Sequence, residues 1–166
     1  MSHIDFNLVY AEHAEEVYRF LLHLCNDAML AEDLLQNTFL KAIEKIDSFD
    51  NRCKLTSWLC QIAKNDYYDY LRKHKRHPVS ALDVDIPDTT LSLEEFIADK
   101  DTARRIQLVV HQLPEPYKEV FLLRVYAELP FKEIGHIFQK TEVWGRVTYL
   151  RAKEMVIQKI ETPQIL

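Results

Sequence analysis

The sequence predicts an all-α protein made of two small helical domains joined by an acidic linker. Its 166 residues are 48% apolar, enough to bury a core, but they include only two glycines and six prolines. That is too few for the tight turns that sandwiches and barrels need. Apolar residues recur at helical spacing along most of the chain. Residues 79–100 hold six acidic residues and one basic residue around Pro87, which is typical of a linker.

The charge balance limits the kind of partner. Twenty-one Lys and Arg against twenty-six Asp and Glu give a net charge of −5, which excludes a uniformly basic surface, so any nucleic-acid contact must be local. Cys25, Cys53 and Cys60 lack metal-ligand spacing and are expected to be small buried thiols in a reducing cytoplasm. The seven histidines form no metal-binding or catalytic pattern, so neither a metal nor a cofactor is predicted. No export leader or membrane span is expected either.

The first predicted domain, residues 1–78, should contain three helices. Apolar spacing predicts the first over residues 10–24, and Asn26 or Asp27 can end it and cap the next. The second helix should run from residue 28 to about residue 46, with one apolar and one polar side. The side chains expected on its inner face are Ala31, Leu34, Leu35, Thr38, Phe39, Ala42 and Ile43.

A third helix should start near Thr56 and end in a basic run. Its expected outer face combines an aromatic ring with cations and amides, a mixture suited to unpaired nucleic acid, because cations hold the backbone while a ring stacks on a base. The alternative is a solvated helix end whose charges favour the helix dipole. The expected inner residues are Leu55, Trp58, Leu59, Ile62, Ala63 and Tyr70, and the outer ones are Gln61, Lys64, Asn65, Tyr68, Arg72 and Lys75.

The second predicted domain, residues 101–166, should begin with a helix over residues 103–112. Pro114 or Pro116 should open another helix that reaches about Tyr126. A short apolar-faced helix should follow Pro130. A turn over residues 139–141 and a longer helix over residues 142–160 complete helix-turn-helix spacing.

The long last helix should pack through one face and leave the other free. Gly145 lies on the inward line, which predicts a close approach to the preceding helix, because glycine costs about 1 kcal/mol relative to alanine in a helix. A helix that enters the major groove by its N-terminal end would read bases with the opposite face, and Arg146 suits guanine. Arg151 and Lys153 would meet phosphates. The alternative is an ordinary amphipathic helix packed on a partner helix. The inward line is Gly145, Tyr149, Ala152, Val156 and Ile160, and the outward one is Glu142, Val143, Arg146, Val147, Leu150 and Arg151.

Two stretches resemble a known family. Residues 31–76 read AEDLLQNTFLKAIEKIDSFDNRCKLTSWLCQIAKNDYYDYLRKHKR and resemble the second conserved region of bacterial RNA polymerase sigma factors. Residues 113–153 read LPEPYKEVFLLRVYAELPFKEIGHIFQKTEVWGRVTYLRAK and resemble the fourth conserved region of the extracytoplasmic-function group. That resemblance implies a protein that docks on core polymerase, recognises a promoter and helps open it, with no covalent chemistry of its own.

The same resemblance implies three binding surfaces. Polymerase would meet Asp33, Gln36, Asn37, Thr38 and Leu40. The flipped base of the minus-ten element would be held by the loop Phe49, Asp50, Asn51, Arg52, Cys53, Lys54 and Leu55 together with Lys64, Asn65 and Tyr68, and Arg72 and Lys75 extend the basic face. The minus-thirty-five duplex would be read by Glu142, Val143, Arg146, Val147 and Arg151, with Thr141 as helix cap and Lys153 on the backbone.

Four residues depart from the family pattern. Asn37 replaces a usually acidic residue, and Asp66 stands at a usually apolar position in the third helix. Gln139 replaces the glycine common at the turn, so the turn is expected to avoid a positive φ. Thr148 stands where relatives often have a basic residue.

Partners follow from the resemblance: core RNA polymerase, promoter DNA and an inhibitory anti-sigma factor, commonly anchored in the membrane. No small-molecule substrate is expected. The net acidity predicts weak promoter binding by the free protein, because few phosphate contacts release few counterions. Two other classes remain open, a polymerase-independent helix-turn-helix regulator and a helical adaptor without DNA contact. Core-polymerase binding separates the first from a sigma factor, and the effects of Arg146→Ala and Arg151→Ala separate the second.

Overall fold

The computed structural model describes residues 4–74 and 100–161. Within these ranges the chain forms helices and no strand, which confirms the all-α prediction. None of these helices is both long and apolar enough to cross a bilayer. The elements are α1 (Phe6–Cys25), α2 (Ala28–Lys45), a 3-10 turn (Ile46–Ser48), α3 (Leu55–His74), α4 (Lys100–His111), α5 (Tyr117–Val125), α6 (Phe131–Ile137) and α7 (Glu142–Glu161).

Two adjacent residues separate α1 from α2. Asn26 takes the left-handed conformation, with φ at 57°, and its N–H donates to the carbonyl of Leu22, so α1 ends there. The Asp27 carboxylate accepts hydrogen bonds from the N–H groups of Met29 (3.0 Å) and Leu30 (3.2 Å), which caps α2. The sequence allowed either residue to end one helix and start the next, and the structure divides these two tasks between them.

Helices α1, α2 and α3 pack on one another and bury most of the side chains that the apolar spacing predicts. Ile43 is an exception, because it was expected on the inner face of α2 but 48% of it is exposed. Tyr67 was not on the expected inner face of α3, yet it is almost completely buried. Cys25 and Cys60 are buried as expected, while Cys53 is half-buried.

Helix α5 is buried almost all round, because it contacts α7 on one side and α1 on another. Helices α1, α2 and α3 form a first helical unit and helices α4 to α7 a second one. The cores of these two units therefore form one hydrophobic cluster. Helix α4 begins at Lys100, inside the stretch predicted as linker and three residues before the predicted helix start. The remainder of the predicted linker, residues 79–99, lies outside the described residues.

The turn between α6 and α7 corrects one expectation. Gln139 was expected to avoid a positive φ, but its φ is 57°. The N–H of Gln139 donates to the carbonyl of His136 (3.1 Å), and the N–H of Lys140 donates to that of Gly135 (2.8 Å). These bonds satisfy the last carbonyls of α6 in the way that a left-handed helix end usually does. The hydrogen-bonded turn therefore holds glutamine in a conformation that glycine adopts more easily.

Candidate nucleic-acid interface

Helices α6 and α7 cross at a very short distance, and glycine makes this possible. A Cβ added to Gly145 would lie 2.9 Å from the carbonyl oxygen of Phe131, and one added to Gly135 would lie 2.5 Å from that of Thr141. The close approach predicted for Gly145 is thus confirmed. These contacts fix the angle at which α7 leaves the turn, which is the geometry of a helix-turn-helix.

The start of α7 presents a free face. The Thr141 hydroxyl accepts a hydrogen bond from the N–H of Trp144 (3.0 Å), so Thr141 caps the helix as expected. On the opposite side Thr148 is buried with Gly145 and Ala152. Thr148 is therefore a packing residue in this chain. The side chains expected to face DNA are exposed along α7, and they are Glu142, Val143, Arg146, Val147 and Arg151; Lys153 is half-buried.

Arg146 is held over the protein surface. Its Nη2 atom lies 3.6 Å from a carboxylate oxygen of Glu142, one turn earlier, and its guanidinium carbon lies 5.7 Å from the centre of the Phe131 ring. Both contacts are exposed and therefore weak. Because these contacts are weak, the guanidinium stays available for bidentate contact with a guanine edge.

The loop before α3 is organised by its own side chains. The Asp50 carboxylate accepts from the N–H of Arg52 (3.1 Å) and also pairs with the Arg52 guanidinium (3.1 Å). Asn51 takes a positive φ of 61° at the turn. The Phe49 ring packs against Trp58 with 5.1 Å between ring centres. Asp50, Asn51, Arg52 and Lys54 are all exposed.

The expected strand-holding face of α3 is only partly open. Asn65 and Arg72 are exposed, and Arg72 pairs with Asp69 on its own helix. Lys75 lies outside the described residues. Tyr68 was expected to be exposed, but it is half-buried, and its hydroxyl donates a hydrogen bond to the Glu119 carboxylate on α5. That expectation is wrong for this conformation, because it considered the first unit without the second.

Three further contacts join the second unit to the first. The Nζ of Lys118 on α5 donates to the carbonyl of Leu24 (3.0 Å), and the rings of His23 and Tyr126 stack with 3.6 Å between centres. The Glu133 carboxylate on α6 accepts a hydrogen bond from the Lys54 N–H. These contacts could not be predicted from the sequence, because each pairs residues that lie far apart in the chain.

Burial changes the pKa values of several groups at the junction, the region where α5 and α6 contact α1 and α3. It raises the pKa of the Glu119 carboxyl and lowers that of the Lys118 ammonium. The pKa of the Tyr68 hydroxyl is also raised, mainly by burial and then by the charge of Glu119. His23 has its pKa lowered to about 3 by burial and, to a smaller extent, by Arg19. Burial where the two units meet therefore disfavours the charged forms of Glu119, Lys118 and His23.

Not all of the α2 residues that are expected to contact polymerase are exposed. Asp33, Gln36, Asn37 and Leu40 are exposed. Thr38 has no exposed surface, and its hydroxyl donates to the carbonyl of Leu34 (2.7 Å). Direct contact between Thr38 and a partner is thus excluded in this conformation, and the residue belongs to the core, as the apolar spacing predicted.

An exposed stripe on α2 extends the predicted polymerase face. Met29, Leu40 and Ile43 are 79%, 59% and 48% exposed, unusually high values for apolar side chains. Their spacing places them on the same side of the helix as Asp33 and Gln36, three or four residues apart. The sequence analysis did not identify Met29 as part of this face and placed Ile43 on the inner face instead. A mixed polar and apolar stripe of this kind is typical of a protein-binding face.

The chain resembles sigma factors over most of its length. The protein-family model of sigma-70 region 2 matches residues 9–77 of the sequence. The ECF RNA polymerase sigma factor SigM of Bacillus subtilis is 34% identical over 88% of this chain and 89% of its own length. SigW of the same organism is 30% identical over 74% of this chain and 71% of its own length.

A solved structure agrees in fold. The sigma factor RpoE of Bartonella quintana, in complex with the anti-sigma factor NepR, superposes with a TM-score of 0.73 at 20% identity, over 96% of this chain and 99% of that one. The chain belongs to the extracytoplasmic-function sigma factors of bacterial RNA polymerase.

Proposed function

We propose that three surfaces of this sigma factor divide its work: the exposed stripe of α2 binds core polymerase, α3 and the loop before it hold the melted minus-ten strand, and α7 reads the minus-thirty-five duplex. The protein acts in the initiation of transcription and carries out no covalent chemistry itself. Residues 1–78 and 101–166 are the corresponding domains, and residues 79–100 join them.

The observation that carries this assignment is the free face of α7 on a tightly crossed helix pair. Arg146 and Arg151 are exposed there, while Gly145 on the opposite face holds α7 against α6. A helix held this rigidly can place base-reading side chains with a defined register. Val143 and Val147 are exposed apolar side chains, which can contact the methyl groups of thymines.

The α2 stripe supports polymerase as the partner. Asp33 and Gln36 supply polar contacts beside Met29 and Leu40, so the face suits a protein surface better than a phosphate backbone. A polymerase-independent regulator would have no evident use for this stripe. Free thiols at all three cysteines agree with a cytoplasmic location.

An anti-sigma factor completes the proposed partners. One solved structure of similar fold is the sigma factor RpoE in complex with the anti-sigma factor NepR. A second is CnrH in complex with the cytosolic domain of CnrY, at a TM-score of 0.68 and 17% identity, over 95% of this chain and 89% of that one. By analogy, this chain should be held by a dedicated inhibitor, one that is commonly anchored in the membrane.

Transcription by reconstituted holoenzyme tests the proposal. Purified core polymerase and the full chain are incubated with a template library randomised at both promoter elements, and transcripts are sequenced. Specific start sites are expected only when both proteins are present. Arg146→Ala should reduce initiation at least about fivefold, because one bidentate base contact contributes about 1–3 kcal/mol. Lys159→Ala, an exposed change near the other end of α7, is the matched control and should leave initiation unchanged.

A further inference from the structure

The start of α3 is capped by a side chain from the second unit. One carboxylate oxygen of Glu133 accepts from the Lys54 N–H (2.9 Å) and from the Ser57 hydroxyl (2.7 Å). The first N–H groups of a helix have no partner within it, and they attract anions. Ser57 is completely buried, so its hydroxyl points into the contact with Glu133 rather than into solvent.

A second acidic side chain meets α3 further along. Glu119 is 1% exposed and accepts the hydrogen bond of the Tyr68 hydroxyl. Nearby, the Lys64 ammonium lies 4.7 Å from the centre of the Phe138 ring, which belongs to the turn after α6. Tyr68 and Lys64 are two of the groups expected to hold the melted strand. The second unit thus engages a cation and a ring of the strand-holding face as well as the helix start.

The contacts of α3 with α5 and α6 compete with its proposed binding of a DNA strand. A carboxylate and a backbone phosphodiester are both anionic acceptors, so they cannot take the same N–H and O–H donors at once. A base cannot stack freely on Tyr68 while its hydroxyl is tied to a buried carboxylate. Because α5, α6 and the turn after α6 occupy the Lys54 N–H, the Ser57 hydroxyl, Lys64 and Tyr68, the strand cannot use these groups until the second unit moves away.

We propose that α5 and α6 hold this sigma factor in a self-blocked state, in which Glu133 is the latch that occupies the donors at the start of α3 until a phosphodiester strand or polymerase displaces it. This inference rests on the proposed role of α3 in strand binding. Self-blocking adds to the net charge of −5 as a reason to expect weak DNA binding by the free protein.

The test uses the free, full-length protein and needs no polymerase. Glu133→Ala removes the latch, and Glu154→Ala removes one exposed carboxylate from α7, away from the junction, so the two variants change the net charge equally. Binding of a fluorescent 15-nucleotide single-stranded DNA pool of random sequence is measured by anisotropy at fixed ionic strength. Small-angle scattering gives the radius of gyration. Glu133→Gln serves as a second, conservative variant, and circular dichroism checks that all variants are folded.

The expected result for Glu133→Ala is an affinity at least threefold above wild type and a larger radius of gyration, with a smaller change of the same sign for Glu133→Gln. Glu154→Ala should match wild type in radius and bind DNA less tightly than Glu133→Ala. Equal gains in affinity for Glu133→Ala and Glu154→Ala would mean that only charge matters and would overturn the proposal. An unchanged radius and affinity in both folded Glu133 variants would also overturn it. Neither readout depends on transcription, so a failure of the proposed function would be seen separately.

Discussion

The Asp66 carboxylate on α3 pairs with the Lys41 ammonium on α2, and only 7% of Asp66 is exposed. The resemblance to sigma factors implies an apolar side chain at this position. A buried carboxylate needs a compensating partner, because the loss of water disfavours its charge. Lys41 supplies that partner from the neighbouring helix, so the packing of α2 on α3 accommodates the departure from the family pattern.

Removing Lys41 should therefore destabilise the fold. Lys41→Ala should lower the free energy of unfolding by about 1–3 kcal/mol, less than for a fully buried pair, because Lys41 is itself 43% exposed. Urea denaturation of Lys41→Ala, Asp66→Asn and the double variant gives the coupling energy. A coupling of at least about 0.5 kcal/mol is expected. Strict additivity of the two changes would show that the pair contributes nothing.

Gly145→Ala should reverse the usual helix preference. Alanine in place of glycine normally stabilises a helix interior by about 1 kcal/mol. Here the added methyl would lie 2.9 Å from the backbone oxygen of Phe131, which cannot rotate away. A loss of about 1–3 kcal/mol is expected instead, as for other overpacked sites. Thermal unfolding measures it, with exposed Glu154→Ala as a near-neutral control. A higher melting temperature for Gly145→Ala would refute the close crossing of α6 and α7.

The three thiols should react in a fixed order. Burial raises the pKa of the Cys25 thiol to about 11 and raises that of Cys60 as well. At pH 8 about one Cys25 in a thousand is then a thiolate, the reactive form. Cys53 is half-buried, and its pKa is raised by partial burial and by the charges of Glu133 and Asp50. We expect Ellman's reagent to modify Cys53 at least tenfold faster than the other two, and Cys53→Ser to abolish the fast phase. A fast phase that persists in that variant would contradict the burial of Cys25 and Cys60.

The burial of His23 should make stability depend on pH. Its pKa is about 3 in the folded protein, against about 6.5 when unfolded, so only the unfolded chain binds a proton between these values. Stability should be complete above pH 6.5 and fall as the pH drops, by about 1.4 kcal/mol at pH 5.5. The positive charge of Arg19 on α1 adds to the effect of burial, because it opposes protonation of His23. Urea denaturation at pH 7.5 and 5.5 checks this. His23→Gln should have a smaller pH dependence than wild type, and equal dependence in both proteins would contradict the assignment.

The helices could be predicted from the sequence because their signals are local. Asn26 and Asp27 were correctly placed between two helices, since capping depends on residues within a turn of the helix end. Ile43 was misplaced because helical spacing alone cannot say how wide the buried face is. Gln139 was misjudged because a positive φ disfavoured in isolation is here held by backbone hydrogen bonds.

The candidate site was predictable only within each unit. The exposed face of α7 follows from helical spacing together with the inward line through Gly145 and Ala152. Tyr68 was expected to be free, because nothing in the sequence links it with Glu119, 51 residues later. The same holds for Ser57 and Glu133, which are 76 residues apart. Contacts at such separation depend on how the two units pack, and periodicity carries no information about that.

The proposed division of labour between α3 and α7 is tested most directly by the base preferences of mutant holoenzymes. Core polymerase is reconstituted with wild type, Asn65→Ala or Arg146→Ala, and the transcribed members of a library randomised at both promoter elements are sequenced. We predict that Asn65→Ala relaxes preference only at minus ten and that Arg146→Ala relaxes it only at minus thirty-five. The assignment would be contradicted if both variants kept the wild-type preferences, or if either one altered the element assigned to the other.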